Sequence, residues 1–466
     1  MYYVDCYLGG YNMKKYRILS LIMTIMMVLS LFAGCGDSGA DKDDVEVSDN
    51  ISVTEESGDI GGVEVEDSAQ SVESEVEKVK LTVLWGQSWY DAGVEKLIDE
   101  AMSEKHPEIE IVWECVDWET EFYGKMEEYM ATELPDVIIG KPQDVTKYQR
   151  MDVIGAIDNG YAERAVEGAL EHVTLDGAVY GVPINVIYHG IFYNKELFAE
   201  RWLELPETMR YLYGVDIERP ESDVVLFASH MADNSGVMNV TMQGLMNEEF
   251  LYTPDWGEQF RAGKESFING LGVQYAYMYN QLIVYNNTFA DVLSVDEKTC
   301  DERFVNGEAV MKISGSWSVR SFLEIDPDFE FGFFAFPNQK GDHKLIYEPD
   351  ITIMTNKNPA QPEAVNAFME LVTGDKELLV KIYDFTLSDS LIAGVEPTFI
   401  NPCQADIDAY IAEGKVIDAT ICNTQLAWDT FQKENVKDIV AWLKEEGTFK
   451  DCLVNSDARV GESGVK

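Results

Sequence analysis

The sequence is short of basic residues and of metal-binding patterns. Lys and Arg number 35 against 84 Asp and Glu in 466 residues, which gives a formal net charge of −49. A surface this negative repels phosphate backbones and anionic lipid headgroups, so the composition argues against nucleic acid as a partner. The five histidines form no HExxH pair, and the seven cysteines show no CxxC spacing. The sequence therefore predicts neither a metal site nor a cofactor.

An apolar run long enough to cross a membrane comfortably is also missing. Residues 18–33 are apolar, follow a basic stretch at 14–17 and end in Ala33-Gly34-Cys35. A basic start, a short apolar segment and small residues before a cysteine are typical of a secretory signal. Met13 is the favoured start, because the residues before it dilute the basic stretch. The alternative is an uncleaved anchor helix, and both interpretations leave the body of the protein outside the membrane.

Aromatic residues are absent from residues 36–78, which are rich in Asp, Glu, Ser, Gly and Val. Such a segment cannot bury enough apolar surface to offset the entropy lost on ordering. The composition therefore predicts a disordered acidic tether, which supplies reach and solubility rather than structure.

From residue 79 onward, strand patterns alternate with helix patterns. Residues 79–85, 109–113 and 134–140 are β-rich, and the segments 94–102 and 122–130 between them carry apolar residues at helical spacing. This alternation predicts an α/β fold in which helices cover a mostly parallel sheet. The composition, 46% hydrophobic, allows one large or two medium cores.

The loops after the first and third predicted strands are candidates for a ligand site. Ligands of parallel sheets bind beyond the carboxyl ends of the strands, which points to residues 86–90 and 141–144. Indole rings can cover the C–H face of a ligand, and amides can bind its hydroxyl groups. The candidates at these strand ends are Trp85, Gln87, Trp89 and Gln143.

The stretch 304–317 has a distinctive arrangement of glycine and aromatic residues. The pattern predicts a helix carrying Phe304, a turn at Gly307 and a short buried strand over 310–313. Gly315 then releases the chain into a turn that presents Trp317 beyond the end of the strand. Trp317 could stack on a ligand or pack as a core tryptophan, and the stretch alone does not decide between them.

Several motifs, taken in order, make the chain resemble the maltose-type (family 1) extracellular solute-binding proteins of bacterial ABC importers. Phe304 to Trp317 matches the family spacing F-x-x-G-x-x-x-M-x-x-x-G-x-W. The sequence departs from the family within 203–300, where Leu205-Pro-Glu-Thr-Met replaces the usual Pro-Thr-Trp helix start. The other matching segments are the signal that ends at Cys35, the strand 81–85, and the segments 134–139, 176–183, 192–198 and 351–357 with the helix from Pro362.

The resemblance implies a type II, periplasmic-binding-protein-like fold of two α/β lobes joined by crossing segments. Each lobe would be a mostly parallel sheet covered by helices. Residues 1–35 would be a lipoprotein signal that ends at the lipidated Cys35. Lobe one would comprise 79–184 and 351–395, and lobe two would comprise 187–349 and 396–466.

The resemblance also implies a ligand cleft and suggests which residues line it. Trp317 matches the aromatic that stacks on a sugar ring, Trp428 a second cleft tryptophan, and Tyr193 the family tyrosine. For these aromatic residues the alternative is packing in a helix or strand core. Glu348 and Asp350 could accept hydroxyl hydrogens, and the alternative for them is a solvated surface position. Two further candidates, on the strand after a crossing, are Tyr188 and His189.

The function implied is non-enzymatic capture of a solute, expected to be a sugar or oligosaccharide. The protein would act as a lipid-anchored monomer on the outer face of the cytoplasmic membrane and deliver the solute to ABC permease subunits. Two alternatives remain open, namely a secreted glycoside hydrolase and a ligand-loaded sensor for a membrane receptor. A hydrolase would need two suitably placed carboxylates, but acids are so abundant here that their presence does not discriminate.

Overall fold

A computed structural model describes residues 78–158, 160–201, 203–214, 224–426 and 431–462. The predicted signal, its lipidation site Cys35, the tether up to residue 77 and the candidate Trp428 lie outside the described residues. Within the described ranges, no helix is both long enough and apolar enough to cross a membrane.

Strands and helices alternate along the described chain, and the predicted α/β class is confirmed. The strands are β1 (Val79–Gln87), β2 (Ile109–Asp117), β3 (Val137–Gly140), β4 (Thr174–Leu175), β5 (Ala178–Val179), β6 (Val182–Pro183), β7 (Asn185–Asn194), β8 (Val225–Ala228), β9 (Ala309–Gly315), β10 (Phe331–Phe334), β11 (Leu345–Pro349), β12 (Thr352–Thr355), β13 (Asp389–Ser390) and β14 (Val416–Asp418). The helices are α1 (Val94–Lys105), α2 (Phe122–Ala131), α3 (Pro142–Arg150), α4 (Lys195–Glu200), α5 (Met209–Gly214), α6 (Ser235–Leu245), α7 (Trp256–Arg261), α8 (Leu271–Tyr279), α9 (Glu297–Val305), α10 (Ser318–Ile325), α11 (Pro362–Gly374), α12 (Lys376–Thr386), α13 (Gln404–Ala412), α14 (Thr420–Gln425), α15 (Lys433–Leu443) and α16 (Phe449–Glu462).

The first sheet has five strands in the order β2-β1-β3-β12-β6. β1 runs parallel to β2 and β3, as the strand–helix–strand pattern predicts, whereas β12 runs antiparallel to both β3 and β6. Buried side chains of α1, α11 and α12 pack with those of β1 in one core. The parallel part of this sheet therefore places the carboxyl ends of three strands along one edge.

The second sheet has the order β14-β11-β7-β9-β8, with β10 and β13 also paired to β7. Its pairings are parallel for β8 with β9 and for β11 with β14, and antiparallel for all four partners of β7. The sheets are therefore mixed rather than mostly parallel. The reason is that β7 and β12 enter their sheets from crossing segments instead of from a covering helix.

The chain crosses between the two sheets at points that are tied together by hydrogen bonds. It leaves the first sheet after Pro183 and enters β7 at Asn185, and it returns between Pro349 and Thr352. The Asn185 side-chain oxygen accepts from the Ile351 amide at 2.8 Å, and the Asn185 carbonyl accepts from the Asp350 amide at 2.9 Å. These bonds hold two crossing segments side by side and leave a cleft between the sheets.

The stretch 304–317 adopts the predicted local structure. α9 ends at Val305, Gly307 has a φ of 77°, and β9 follows as a fully buried strand. Trp317 stands directly before α10, beyond the end of β9. The five cysteines in the described ranges are all free thiols.

Candidate functional site

A cavity of about 230 Å³ lies in the cleft, with walls from both sheets. The first-sheet side contributes the residues that follow β1, β2 and β3, in agreement with the strand-end rule. The second-sheet side contributes residues of β7 and β11, the loop after β9, the segment 233–242 that includes most of α6, Glu297 at the start of α9 and Asn423 in α14. The residues that line the cavity are Ser88, Trp89, Tyr90, Asp117, Trp118, Glu119, Lys141, Ile187, His189, Asp233, Ser235, Met238, Asn239, Met242, Glu297, Trp317, Glu348 and Asn423.

Trp317 is the centre of an aromatic wall that spans the cavity. Its ring stacks on Tyr90 with centroids 6.0 Å apart and planes inclined by 21°. The centroids of the His189 and Trp317 rings lie 5.0 Å apart with their planes inclined by 72°, and Ile187 completes a small apolar cluster with the two stacked rings. Because Tyr90 follows β1 and the other three belong to the second-sheet side, this cluster joins the two sides of the cleft.

Gly315 gives the Trp317 ring its position. A Cβ atom added at Gly315 would lie 1.7 Å from Cζ3 of Trp317, far inside van der Waals contact. The indole therefore lies directly over the backbone of the last β9 residue, which only glycine permits. This geometry explains the glycine two residues before the tryptophan.

We expect Gly315→Ala to lower solute affinity by at least about tenfold, because the added methyl group forces the indole out of place. The same overpacking should reduce the free energy of unfolding by about 1–3 kcal/mol. Calorimetry and chemical denaturation measure the two effects separately.

Gly124→Ala is the matched control for this substitution. Gly124 lies in α2, and a Cβ atom there would meet nothing within 4 Å. The control should leave affinity unchanged and stabilise the helix by up to about 1 kcal/mol. Full affinity in the Gly315→Ala protein would contradict this account of the ring position.

Lys141 and Asp350 form a buried ion pair behind the aromatic wall. The Lys141 side chain is 5% exposed and the Asp350 side chain is 0% exposed. Tyr90 donates its hydroxyl to Asp350 at 3.4 Å, and the Asn185 amide donates to the other carboxylate oxygen at 3.4 Å. Burial raises the pKa of Tyr90 well above its usual value, so this hydroxyl stays a donor. The positive charge of Lys141 is thus compensated by Asp350 behind the aromatic wall.

His189 and Glu348 form a second polar pair, at the cavity surface. His189 Nε2 lies 2.9 Å from Glu348 Oε2, and Asn423 donates to Glu348 Oε1 at 3.0 Å. Burial disfavours the ionised form of Glu348, but the hydrogen bond and charge of His189 and the charge of Lys141 hold its pKa below the usual value. Glu348 therefore stays a carboxylate that can accept hydrogen bonds.

Acidic side chains stand on both sides of the cavity. Asp117 and Glu119 come from the first-sheet side, and Asp233 and Glu297 from the second-sheet side. Burial opposes ionisation of Asp233, but hydrogen bonds from His230 and Ser235 hold its pKa well below the usual value. Trp317 donates its indole N–H to Glu297 Oε1 at 3.4 Å. Apart from Lys141, the described residues that line the cavity include no lysine or arginine.

Four of the candidates from the sequence line the cavity, and their ligand contacts stay predictions. These are Trp89, His189, Trp317 and Glu348. The structure does not bring the other described candidates to the cavity surface. Trp85 packs in the core against Trp113, Gln87 donates to Glu95, Gln143 is buried, Tyr188 donates to Asp389, Tyr193 packs on Phe198, and Asp350 pairs with Lys141.

Sequence reasoning overlooked two groups of cavity residues, and in addition the single residues Ile187, Glu297 and Asn423. Residues 117–119 begin at the last residue of β2, so the strand-end rule applies to them as it does to the ends of the other two parallel strands. Residues 233–242 belong to the segment that departs from the family pattern, where no motif marked them. The first group could have been found from the sequence, and the second carried no such signal.

The comparisons with known proteins match most of the described chain. The sequence model of the family described as bacterial extracellular solute-binding protein matches residues 87–378. The multiple sugar-binding protein of Streptococcus mutans serotype c is 22% identical over 351 residues, which are 72% of this chain and 80% of that protein.

Solved structures share the fold. The solute-binding protein RafE in complex with raffinose superposes with a TM-score of 0.69 at 18% identity and covers 83% of this chain and 99% of its own. A chitin oligosaccharide binding protein also has a TM-score of 0.69, at 17% identity, and covers 84% of this chain and 100% of its own. The chain therefore belongs to the bacterial extracellular solute-binding protein family and has its fold.

Proposed function

We propose that this protein captures a carbohydrate in the cleft and delivers it to the permease subunits of an ABC importer. The observation that carries the proposal is the position of Trp317, an indole held over Gly315 in a cavity between two α/β units. Aromatic faces bind the C–H faces of sugar rings, and the amides of Asn239 and Asn423 can bind hydroxyl groups. The sugar-binding relatives support the same ligand class.

Capture requires the two sides of the cleft to approach each other around the solute. The crossing segments at Asn185 and Asp350 are the hinge for this motion, since they are the places where the chain passes between the sheets. Closure removes water from the ligand and completes contacts that neither side makes alone. The permease then recognises the closed form, and the protein itself catalyses no reaction.

The family places the body of the protein outside the cytoplasm, and we propose that Cys35 carries the lipid that retains it there. The acidic segment 36–78 would give the body reach above the membrane, and its charge would repel anionic headgroups. Metabolic labelling with a radioactive fatty acid tests this arrangement. Cys35→Ser should abolish the label and release the protein into the medium.

A thermal-shift screen of the purified protein against mono- and oligosaccharides tests the capture function. A bound sugar raises the melting temperature by mass action, by an amount that grows with its concentration. Chromatography of the same mixtures should recover each sugar intact. Failure of every carbohydrate to bind would overturn the proposal, and cleavage of a bound oligosaccharide would favour the hydrolase instead.

A further inference from the structure

Two carboxylates at the cavity surface lack a basic partner among the described residues. Asp117 ends β2, and Glu119 follows two residues later. Among the described residues, Asp117 accepts side-chain hydrogen bonds only from Thr120, at 2.7 Å from its amide and 2.6 Å from its hydroxyl. Lys433 approaches Glu119, but it donates to the backbone carbonyl at 3.3 Å rather than to the carboxylate. These two groups are therefore available to a ligand.

Apart from the exposed Lys433, the positive charges around the cavity are paired with other acids among the described residues. Lys141 pairs with Asp350, and the buried Lys312 pairs with Asp301 at 2.5 Å and lies 3.8 Å from Glu297. His189 contacts Glu348 in the same way. The space that remains for a solute is consequently negative on both sides.

The negative charges on the two sides repel each other across the cleft. The Glu119 side chain is exposed, but the protein around it displaces part of its hydration shell, and this desolvation raises its pKa to about 7. Repulsion from Asp117, Glu297 and Asp233 adds to the increase, and the charge of Lys141 opposes it. Asp233 and Glu297 belong to the opposite side of the cleft. A cation placed between these groups would remove a repulsion that otherwise opposes closure.

A separate observation indicates that the cavity is a preformed ligand site rather than a solvated acidic surface. His189 lines the cavity and is only 4% exposed, yet its Nδ1 has no hydrogen-bond partner among the described residues. Such a ring nitrogen can bind a polar group of a solute that fills the cavity. The described residues also contain no group of His, Cys, Asp and Glu side chains suited to a metal ion, which favours an organic cation.

We propose that the solute carries a protonated amine, and hence that the captured carbohydrate is an amino sugar rather than a neutral sugar. This inference rests on the proposed function. The ammonium group docks at Asp117 and Glu119, where its N–H groups form charge-assisted hydrogen bonds with both carboxylates. The sugar ring lies against the aromatic wall, and His189 Nδ1 binds one of its polar groups.

The decisive experiment is calorimetry of the full chain with matched sugars that differ only in charge. Glucosamine oligosaccharides carry free amines, and N-acetylglucosamine oligosaccharides of equal length carry neutral amides in their place. At pH 7 and low salt we expect the amine form to bind at least about tenfold more tightly. The difference should shrink as salt is raised, because ions screen the charge interaction.

Charge-neutral substitutions locate the contact. Glu119→Gln should remove most of the preference for the amine form over the N-acetyl form. Glu127→Gln is the matched control, since it removes the same charge from an exposed position on α2 outside the cavity. That control should retain the full preference.

The pH dependence gives an independent measure. Glu119 must lose its proton while the sugar ammonium keeps its own, so affinity for the amine form, counted per protonated ligand molecule, should rise by up to about tenfold between pH 5.5 and pH 7. Glu119→Gln should flatten this rise. The N-acetyl form controls for protonation elsewhere in the cleft, including Asp117, Asp233, Glu297, His189 and His230.

The outcomes separate the two proposals. N-acetyl or neutral sugars that bind as tightly as the amines would overturn the inference and leave carbohydrate capture intact. An amine preference that survives Glu119→Gln and Asp117→Asn together would overturn the assigned docking position. Absence of binding by every sugar would overturn both proposals.

Discussion

Replacing Trp317 with alanine is expected to lower solute affinity by about thirtyfold or more. Buried aromatic anchors at the centre of a binding site commonly contribute at least about 2 kcal/mol, which corresponds to that factor. Trp317 has the features of such an anchor, since it is 7% exposed, lines the cavity and is held by a stack on Tyr90 and a hydrogen bond to Glu297. Calorimetry with the sugar identified by the screen measures the loss.

The fold should survive this substitution. Trp317 belongs to a small cluster with Tyr90 and Ile187 that is separate from the large cores of the two sheets. We therefore expect a loss of unfolding free energy of about 1–2 kcal/mol, below the 3–5 kcal/mol typical of a core tryptophan. Trp317→Phe should recover part of the affinity, because a smaller ring still stacks.

A second tryptophan provides the control. Trp442 in α15 is half-buried and packs on Phe449 with centroids 4.9 Å apart, outside the cavity. Trp442→Ala should destabilise the protein without changing affinity. Unchanged affinity in the Trp317→Ala protein would show that the solute binds elsewhere.

The strands and turns that position the site were predictable because they depend on local sequence patterns. Three parallel strands of the first sheet end at the cavity, and their parallel direction followed from alternating strand and helix patterns. The turn before Trp317 followed from Gly307 and Gly315, each of which has a steric reason to be glycine. Strands and turns of this kind can be predicted from the residues next to each other in the sequence.

The contacts within the site were less predictable because they depend on side-chain direction. Ile187 and His189 face the cavity, whereas Tyr188 between them points to the other face of β7 and reaches Asp389. A strand alternates its side chains, but its register decides which set faces the cleft. Asp350 pairs with Lys141 from a distant loop, and no sequence pattern links these two positions.

Lys141→Met is expected to reduce the free energy of unfolding by about 3–5 kcal/mol. The substitution keeps the length of the side chain but leaves the fully buried Asp350 carboxylate without its ion-pair partner. Removing one member of a buried pair costs this much because the remaining charge stays desolvated without compensation. Tyr90 and Asn185 still donate to Asp350, and neither supplies a positive charge. Chemical denaturation measures the loss.

The double variant Lys141→Met with Asp350→Leu shows whether the loss of unfolding free energy comes from an unpaired buried charge or from lost packing. Replacing both charges with apolar groups removes the desolvation cost together with the attraction, so most of the lost stability should return. Lys381→Met provides the surface control, since Lys381 and Glu377 form a pair with 58% and 82% of their side chains exposed. That change should cost less than about 1 kcal/mol. If the double variant is as unstable as Lys141→Met, the cost comes from packing of the lysine stem, and the charge of Asp350 is compensated by its neighbours.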